Sequence, residues 1–345
     1  MTKFNFCTLF DRNYLYKGLA LYNSLMRNCS EFSLWILCLD KITYDLLDRL
    51  KLKNVRLIAM EDFEDQELLS IKDSRSAIEY CWTCTSSLPL YILNKTPSID
   101  SIAYIDADVY FYSDPSVLYE EMGNNSIGIV KHNYSARYRK YEKIHGKFNV
   151  QFLIFKNDPN ALECLNWWRK KCLEWCYARY EDNRWGDQKY LDEWSGRFKG
   201  VWVFTHKGAG AAPWNIQQYP LKCANNRIFI DDQELIFYHF HQLNILSSET
   251  FDLTRGYLLP DDAIKLIYKP YVREINKIIT SVLEKNPGFT YGYNTEYFLR
   301  SSSLMTMIKN MFLRNRLFQI LIRKKLGRLW GKGYYFYSLK DKAEN

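Results

Sequence analysis

The chain contains no apolar run of about 18 residues, so no membrane-spanning helix is expected. No secretory leader is expected either: Met1-Thr2-Lys3-Phe4-Asn5-Phe6-Cys7-Thr8-Leu9 is too short an apolar stretch and reads as a first strand. Internal repeats and low-complexity tracts are absent, which excludes solenoid and fibrous organisation. The nine cysteines are odd in number and scattered. With no export leader expected, they are predicted to be free thiols in a reducing cytoplasm. Cys81-Trp82-Thr83-Cys84 is a lone C-x-x-C, and Cys172 with Cys176 supplies no matching pair, so structural zinc is not expected.

What is present is enough to fold. The chain is 47% apolar and 25% charged, which supports a real core, and its 345 residues allow one large domain or one domain plus an extension. Aromatic residues make up 17%, with 27 Tyr and 10 Trp; they suit ring-lined sugar or base sites and equally an aromatic-rich core. The net charge of +8 favours anionic partners. Much of the excess lies beyond residue 300. Between Ser303 and Trp330, apolar Met305, Ile308, Phe312, Leu317 and Ile320 alternate with seven Lys and Arg, and no acid occurs. A basic amphipathic tail (about 303–332) of this kind predicts attachment to an anionic membrane surface. The alternative is a helix packed on the core with a solvated basic face.

The first half alternates strand and helix. Lys3–Leu9, Ser33–Leu39 and Val55–Met60 read as strands, and Tyr16–Asn28, Tyr44–Leu50 and Thr85–Leu93 as helices. That order predicts an α/β fold with a mostly parallel sheet flanked by helices. Further strands are expected at Ser126–Val130, Val150–Phe155, Val201–Thr205 and Leu235–Phe240, and a long helix at Asn160–Arg179. Residues 250 to 300 read as a helical extension. The polar, tyrosine-rich stretch from Tyr134 to Lys147 reads either as a mobile loop near the site, in the manner of a lid, or equally as a solvated surface loop.

One stretch carries chemistry by itself. In Ser101 to Phe111 a β-prone apolar run ends in Asp106-Ala107-Asp108 and then turns apolar again. Residues two apart in an extended chain face one side, so both carboxylates would meet at one spot. Two hard oxygen ligands there suit Mn²⁺ or Mg²⁺, which in turn neutralise a diphosphate. The simpler reading is a strand end with two solvated acids. In parallel sheets ligands bind at the carboxyl ends of strands, where Asp106, Asp108 and Asp11-Arg12-Asn13-Tyr14 all fall. Lys207-Gly208-Ala209-Gly210 and Pro213-Trp214-Asn215 form a loop of small residues that permits close backbone approach, and Lys207 is placed to contact a diphosphate.

Over roughly residues 1 to 245 these features resemble, in their order, GT-A glycosyltransferases of the family 8 type. The resemblance implies the GT-A fold: a Rossmann-like sheet with a C-terminal helical extension, divided as a catalytic domain at 1–250 and an extension at 251–345. It implies that Asp11 and Asn13 read a nucleotide base while Tyr14 stacks on it. It implies that Asp106 and Asp108 bind metal with a histidine near the end of the catalytic domain. Phe237-Tyr238-His239-Phe240-His241 offers two, of which His239 fits the pattern better and His241 is the substitute. Asn149 is implied beside the donor sugar, Asp187 at hydroxyls of donor or acceptor, and Gln188 below the anomeric carbon. Gln151 stands where the family usually has Gly. The family's phosphate-binding Arg is missing from the helix before Asp-x-Asp, and Arg75 is the candidate replacement.

The resulting expectation is a cytoplasmic enzyme, peripheral at the inner face of the plasma membrane. It would move a sugar from a nucleotide-diphosphate donor, UDP-linked, to a glycan or lipid-linked acceptor, with retention. No nucleic-acid partner is expected, because the charge gathers in the tail and not along a ring-lined groove. Two alternatives stand beside it. A nucleotidyltransferase would carry a Gly-rich basic loop after the first strand, where this chain has Asp11-Arg12-Asn13-Tyr14. A non-catalytic membrane- or nucleic-acid-binding protein would be stabilised by nucleic acid alone.

Overall fold

A computed structural model of the protein describes residues 4–294 and 335–339. The basic tail at about 303–332 lies outside the described residues.

Strands β1 (Phe4–Phe10), β2 (Phe32–Cys38), β3 (Val55–Ala59) and β4 (Ser101–Ile105) run parallel. A short strand, β5 (Val109–Phe111), leaves the main sheet, which continues with β6 (Ile127–Lys131), β7 (Phe148–Lys156) and β8 (Val201–Val203). The spatial order of the seven strands is β3-β2-β1-β4-β7-β6-β8, with only β7 reversed. All seven residues of β2 (FSLWILC) are buried, the near-continuous apolar run of a strand covered on both faces.

The period of two decides which residue meets which layer. Phe6 and Phe10 of β1, and Leu34 and Ile36 of β2, pack with the helices Leu15–Asn28 and Lys269–Lys285. Cys7, Leu9, Trp35 and Leu37 point the other way, against the helices Ala77–Lys95 and Pro159–Glu174.

Helix ends differ from the sequence reading where capping governs them. The helix expected from Thr85 begins at Ala77, because Ser76 and Glu79 form a capping box. The helix expected from Tyr44 begins at Lys41, with the Asp40 carboxylate accepting from the Thr43 amide at 2.8 Å. The same carboxylate accepts from the Arg12 amide at 2.9 Å and so ties the loop after β1 to the end of β2. The helix expected to reach Arg179 stops at Glu174, where Trp175 turns extended.

The C-terminal part is built onto this body. Tyr271, Ile275 and Ile279 bury against the same core as the first helix, and Glu274 accepts from Asn23 at 2.9 Å. Thr250–Asp252 pairs with Phe336–Ser338, which returns the chain to the body. Strands β9 (Leu221–Ala224), β10 (Arg227–Ile230) and β11 (Gln233–Glu234) form a separate small sheet. They lead into β12 (Phe237–His239), which pairs antiparallel with β5.

Candidate active site

β1 has β2 on one side and β4 on the other, so the winding of the chain reverses between β1 and β4. A crevice opens beyond the carboxyl ends of two such strands. Asp11 follows β1 and Asp106 follows β4. A cavity of about 620 Å³ lies there, lined among others by Asp11, Tyr14, Asp106, Asp108, Asp187 and His239.

The acid pair does not lie on an extended strand. β4 ends at Ile105, and Asp106-Ala107-Asp108 form a turn closed by the Val109 amide on the Asp106 carbonyl at 3.0 Å. The carboxylates meet because the chain folds back there into β5. β12 then pairs with β5 so that His239 lies opposite Val109. His239 Nε2 sits 3.0 Å from Asp108 Oδ1 and 3.8 Å from Asp106 Oδ2. One ligand atom from each of the three residues falls within 4.8 Å of the others. Tyr104 donates its hydroxyl to Asp106 Oδ1 at 3.0 Å, and Lys17 Nζ lies 3.8 Å from Asp108.

The three groups are held in different charge states. Burial raises the Asp106 pKa to about 6, against the pull of His239, and Asp108 adds to the rise. Burial would also raise Asp108, but His239 and Lys17 outweigh it and hold this carboxyl well below the usual range. Burial would lower His239; the facing Asp108 carboxylate reverses that and raises it. Two carboxylates and one imidazole that need each other's charge make a donor set that suits a divalent cation such as Mn²⁺. His241 lines the same cavity with its ring 5.6 Å from that of His239, but it is not part of the three-residue group. Burial pushes its pKa down to about 3, and the neighbouring His239 adds to the fall.

A second group faces the first. Asp187 is buried, and Trp168 Nε1 donates to its carbonyl at 2.8 Å. Gly186 holds the turn at φ +50°, with the Trp82 ring 3.1 Å from where a Cβ would stand, so a side chain there would be both strained and tightly packed. Burial raises the Asp187 carboxyl well above its ordinary value, and Asp106 adds to the rise. Gln188 and Asn149 are hydrogen-bonded to each other at 3.1 Å. The neighbouring Gln151 is wholly buried, and neither end of its amide has a hydrogen-bond partner among the described residues.

The loop after β1 is internally braced. Asp11 accepts from the Asn13 amide at 3.0 Å, from Asn13 Nδ2 at 2.8 Å and from the Tyr14 amide at 3.2 Å. Tyr14 stays 43% exposed, with Lys17 Nζ 4.3 Å from its ring centre.

Three of the expected residues stand elsewhere or act indirectly. Arg75 stacks on Tyr177 at 3.9 Å, donates to the Leu173 carbonyl at 3.2 Å, and does not line the cavity. Lys207 pairs with Asp231 at 3.0 Å and Asp232 at 3.6 Å and is likewise outside the lining. Asn215 is buried and braces its loop, donating to the carbonyls of His132 (2.8 Å) and Gly210 (2.9 Å). Trp214 does line the cavity, with its ring 5.4 Å from His239.

Other residues were not singled out by the sequence. Lys17, His132, Tyr104 and Trp82 all touch the site or its lining. His132 directly follows β6, whose carboxyl end lies on the same edge as those of β1 and β4; that position was the available signal. The stretch expected to be a lid packs on the site through Tyr134, Ser135 and Tyr138, while residues 136, 137, 139 and 140 are exposed. His132 stacks on Tyr134 at 4.5 Å, and Tyr138 packs with Trp214. The Ser135 amide donates to the Trp214 carbonyl at 3.1 Å.

Comparison with known proteins identifies the family and the fold. Residues 5–192 match the family described as glycosyl transferase family 8. The chain is 33% identical over 296 residues to YfnD of Bacillus subtilis (strain 168), a protein itself uncharacterized, across 85% of this chain and 95% of that one. It is also 33% identical over 249 residues to YfnF of the same organism, across 70% of this chain and 82% of that one. The galactosyltransferase LgtC, solved with donor and acceptor sugar analogues, superposes with a TM-score of 0.50 over 79% of this chain and 95% of that chain. At 14% identity that likeness speaks for the fold. By a sequence match over more than half its length, and with the GT-A fold to go with it, this chain belongs to glycosyl transferase family 8 and is a glycosyltransferase.

Proposed function

We propose that the protein uses a divalent cation, Mn²⁺ or Mg²⁺, to transfer a sugar from a UDP-linked donor to a hydroxyl of a glycan or lipid-linked acceptor, with retention at the anomeric carbon. The observation that carries this reading is the meeting of Asp106, Asp108 and His239 at the switch point, facing Asp187 and Gln188 across one cavity. Asp106, Asp108 and His239 would hold the cation. When bound, it neutralises the diphosphate and the charge that develops on the leaving nucleotide.

The chain's own groups do the rest. Asp11 and Asn13 offer an acceptor and a donor to a base edge, and the exposed Tyr14 ring offers a face. Asp187 carries a raised pKa and, when protonated, donates a hydrogen bond to a sugar hydroxyl. Gln188 is an amide, too weak a nucleophile to form a covalent sugar intermediate readily. Retention would then come from attack on the face the nucleotide leaves. Holding donor and acceptor in line supplies much of the acceleration.

A screen of nucleotide-sugars for metal-dependent hydrolysis and transfer tests this reading directly. Release of UDP from at least one donor, only with metal, is the expected result. NMR of the product is expected to show the donor's anomeric configuration; an inverted linkage removes retention from the proposal.

The pKa shifts give a sign for the pH dependence. In the metal-free protein Asp106 takes up a proton near pH 6, and His239 does so above the usual imidazole value. A cation needs both ligands deprotonated, so protons compete with it. The gain in melting temperature from Mn²⁺ plus UDP is therefore expected to be larger at about pH 8 than at about pH 6. Equal gains at both would remove these two residues as ligands.

A further inference from the structure

One backbone amide determines how three side chains must face. The Gln151 N–H, which can only donate, lies 2.8 Å from Asn149 Oδ1. That settles which end of the Asn149 amide is oxygen. Its Nδ2 therefore faces the other two neighbours, His132 Nε2 at 2.9 Å and Gln188 Oε1 at 3.1 Å. Nδ2 has two hydrogens and no free lone pair, so both partners must accept.

Two consequences follow for the cavity. His132 must keep Nε2 unprotonated, so the ring is neutral with its proton on Nδ1. Gln188 must turn Oε1 toward Asn149, which leaves its two N–H groups for a ligand oxygen. We propose that His132 is a positioning residue that acts through Asn149 to hold the Gln188 amide with its N–H end toward the bound substrate. This rests on the glycosyl-transfer reading only for what the substrate is.

The surroundings hold His132 fixed and disfavour its charge, although its buried Nδ1 has no hydrogen-bond partner among the described residues. The residue is 2% exposed and stacks on Tyr134 with an 11° tilt between rings. Its carbonyl accepts from Trp214 Nε1 and from Asn215 Nδ2, each at 2.8 Å, so its backbone is held from two sides. Burial pushes the imidazole well below its ordinary pKa, and the neighbouring His145 and His241 push the same way. Removing the Nε2 acceptor would leave one buried N–H of Asn149 without a partner. Asn149 would then shift to regain one and carry Gln188 with it.

Two measurements test this. In the first, ¹⁵N NMR of the histidine-labelled protein, assigned with H132Q, follows His132 from about pH 6 to pH 8. Nε2 is expected to keep the shift of an unprotonated nitrogen throughout; a protonated Nε2 overturns the proposal. The second is kinetic. H132F is expected to lower kcat about 10- to 100-fold with a much smaller change in donor KM. H132Q, whose side-chain oxygen can replace Nε2 as acceptor, is expected to restore most of that loss. In a Q188A background, H132F is expected to add little. Additive losses, or equal losses for H132F and H132Q, would mean that His132 acts by packing alone. If no nucleotide-sugar is a substrate, the transfer reading fails, and the NMR measurement still decides the tautomer and hence the facing of the amides.

Discussion

Asp108→Asn is expected to lower sugar transfer on the order of 10³-fold and to abolish the melting shift produced by Mn²⁺. The substitution keeps the size of the side chain and one acceptor oxygen, so the turn closed by Val109 should survive. What it removes is a full negative charge at the one point where His239 Nε2 (3.0 Å) and Lys17 Nζ (3.8 Å) both face it. The Asp108 carboxyl stays ionised at any working pH because those two groups outweigh its burial. Asp106, with a pKa near 6, is the weaker anion of the two in the metal-free protein. An amide at position 108 would leave a cation with little fixed charge to compensate it. Circular dichroism should show the fold intact, so that the loss can be read as chemistry. A variant that keeps a tenth or more of the wild-type rate would end the proposed role of this carboxylate.

Trp168→Ala is expected to cost about 3–5 kcal/mol of stability, a large share of what a domain has. Trp168 is wholly buried, with its ring edge-on to Trp194 at 5.4 Å and stacked on Phe155 at 6.4 Å. Removing the indole would leave a cavity in the layer between β7 and the helix Pro159–Glu174, where close neighbours relax only in part. Denaturant midpoints at unchanged slope would measure the loss. A loss under about 1 kcal/mol would show that this layer is not the core that its burial suggests. The companion Trp168→Phe keeps most of the ring and loses the N–H that holds the Asp187 carbonyl at 2.8 Å. It is expected to cost only about 1 kcal/mol in stability, yet to lower kcat, because the turn carrying Asp187 and Gln188 loses its anchor.

The layered sheet was legible because its strands are short, apolar and separated by helices of period 3.6. The helix at Ala77–Lys95 starts eight residues before the Thr85 expected from the sequence, because Ser76 and Glu79 form a cap that acts only once the backbone turns. Asp106 and Asp108 stood out because two acids rarely end a buried strand. The reason offered for their meeting was an extended backbone, whereas the chain places them on a turn. The charged candidates Arg75 and Lys207 failed to reach the cavity for one shared reason. A flexible cation takes the nearest acid, carbonyl or ring, and which of these is nearest is a long-range matter.

By itself, then, the order of residues determined the α/β layering, the Asp-x-Asp at a strand end and the ordered features that mark family 8. These are local or periodic properties, written in spacing. Tertiary structure decided which imidazole faces the acids, through the pairing of β12 with β5. It decided that Lys17 and Tyr104 share the carboxylates, and that His132 and Gln188 meet at one asparagine. Apart from Tyr104 and Asp106, which are two positions apart, those contacts join segments up to 133 positions apart in the chain. No local spacing encodes the distant ones; the packing of the sheet and its two helical layers does.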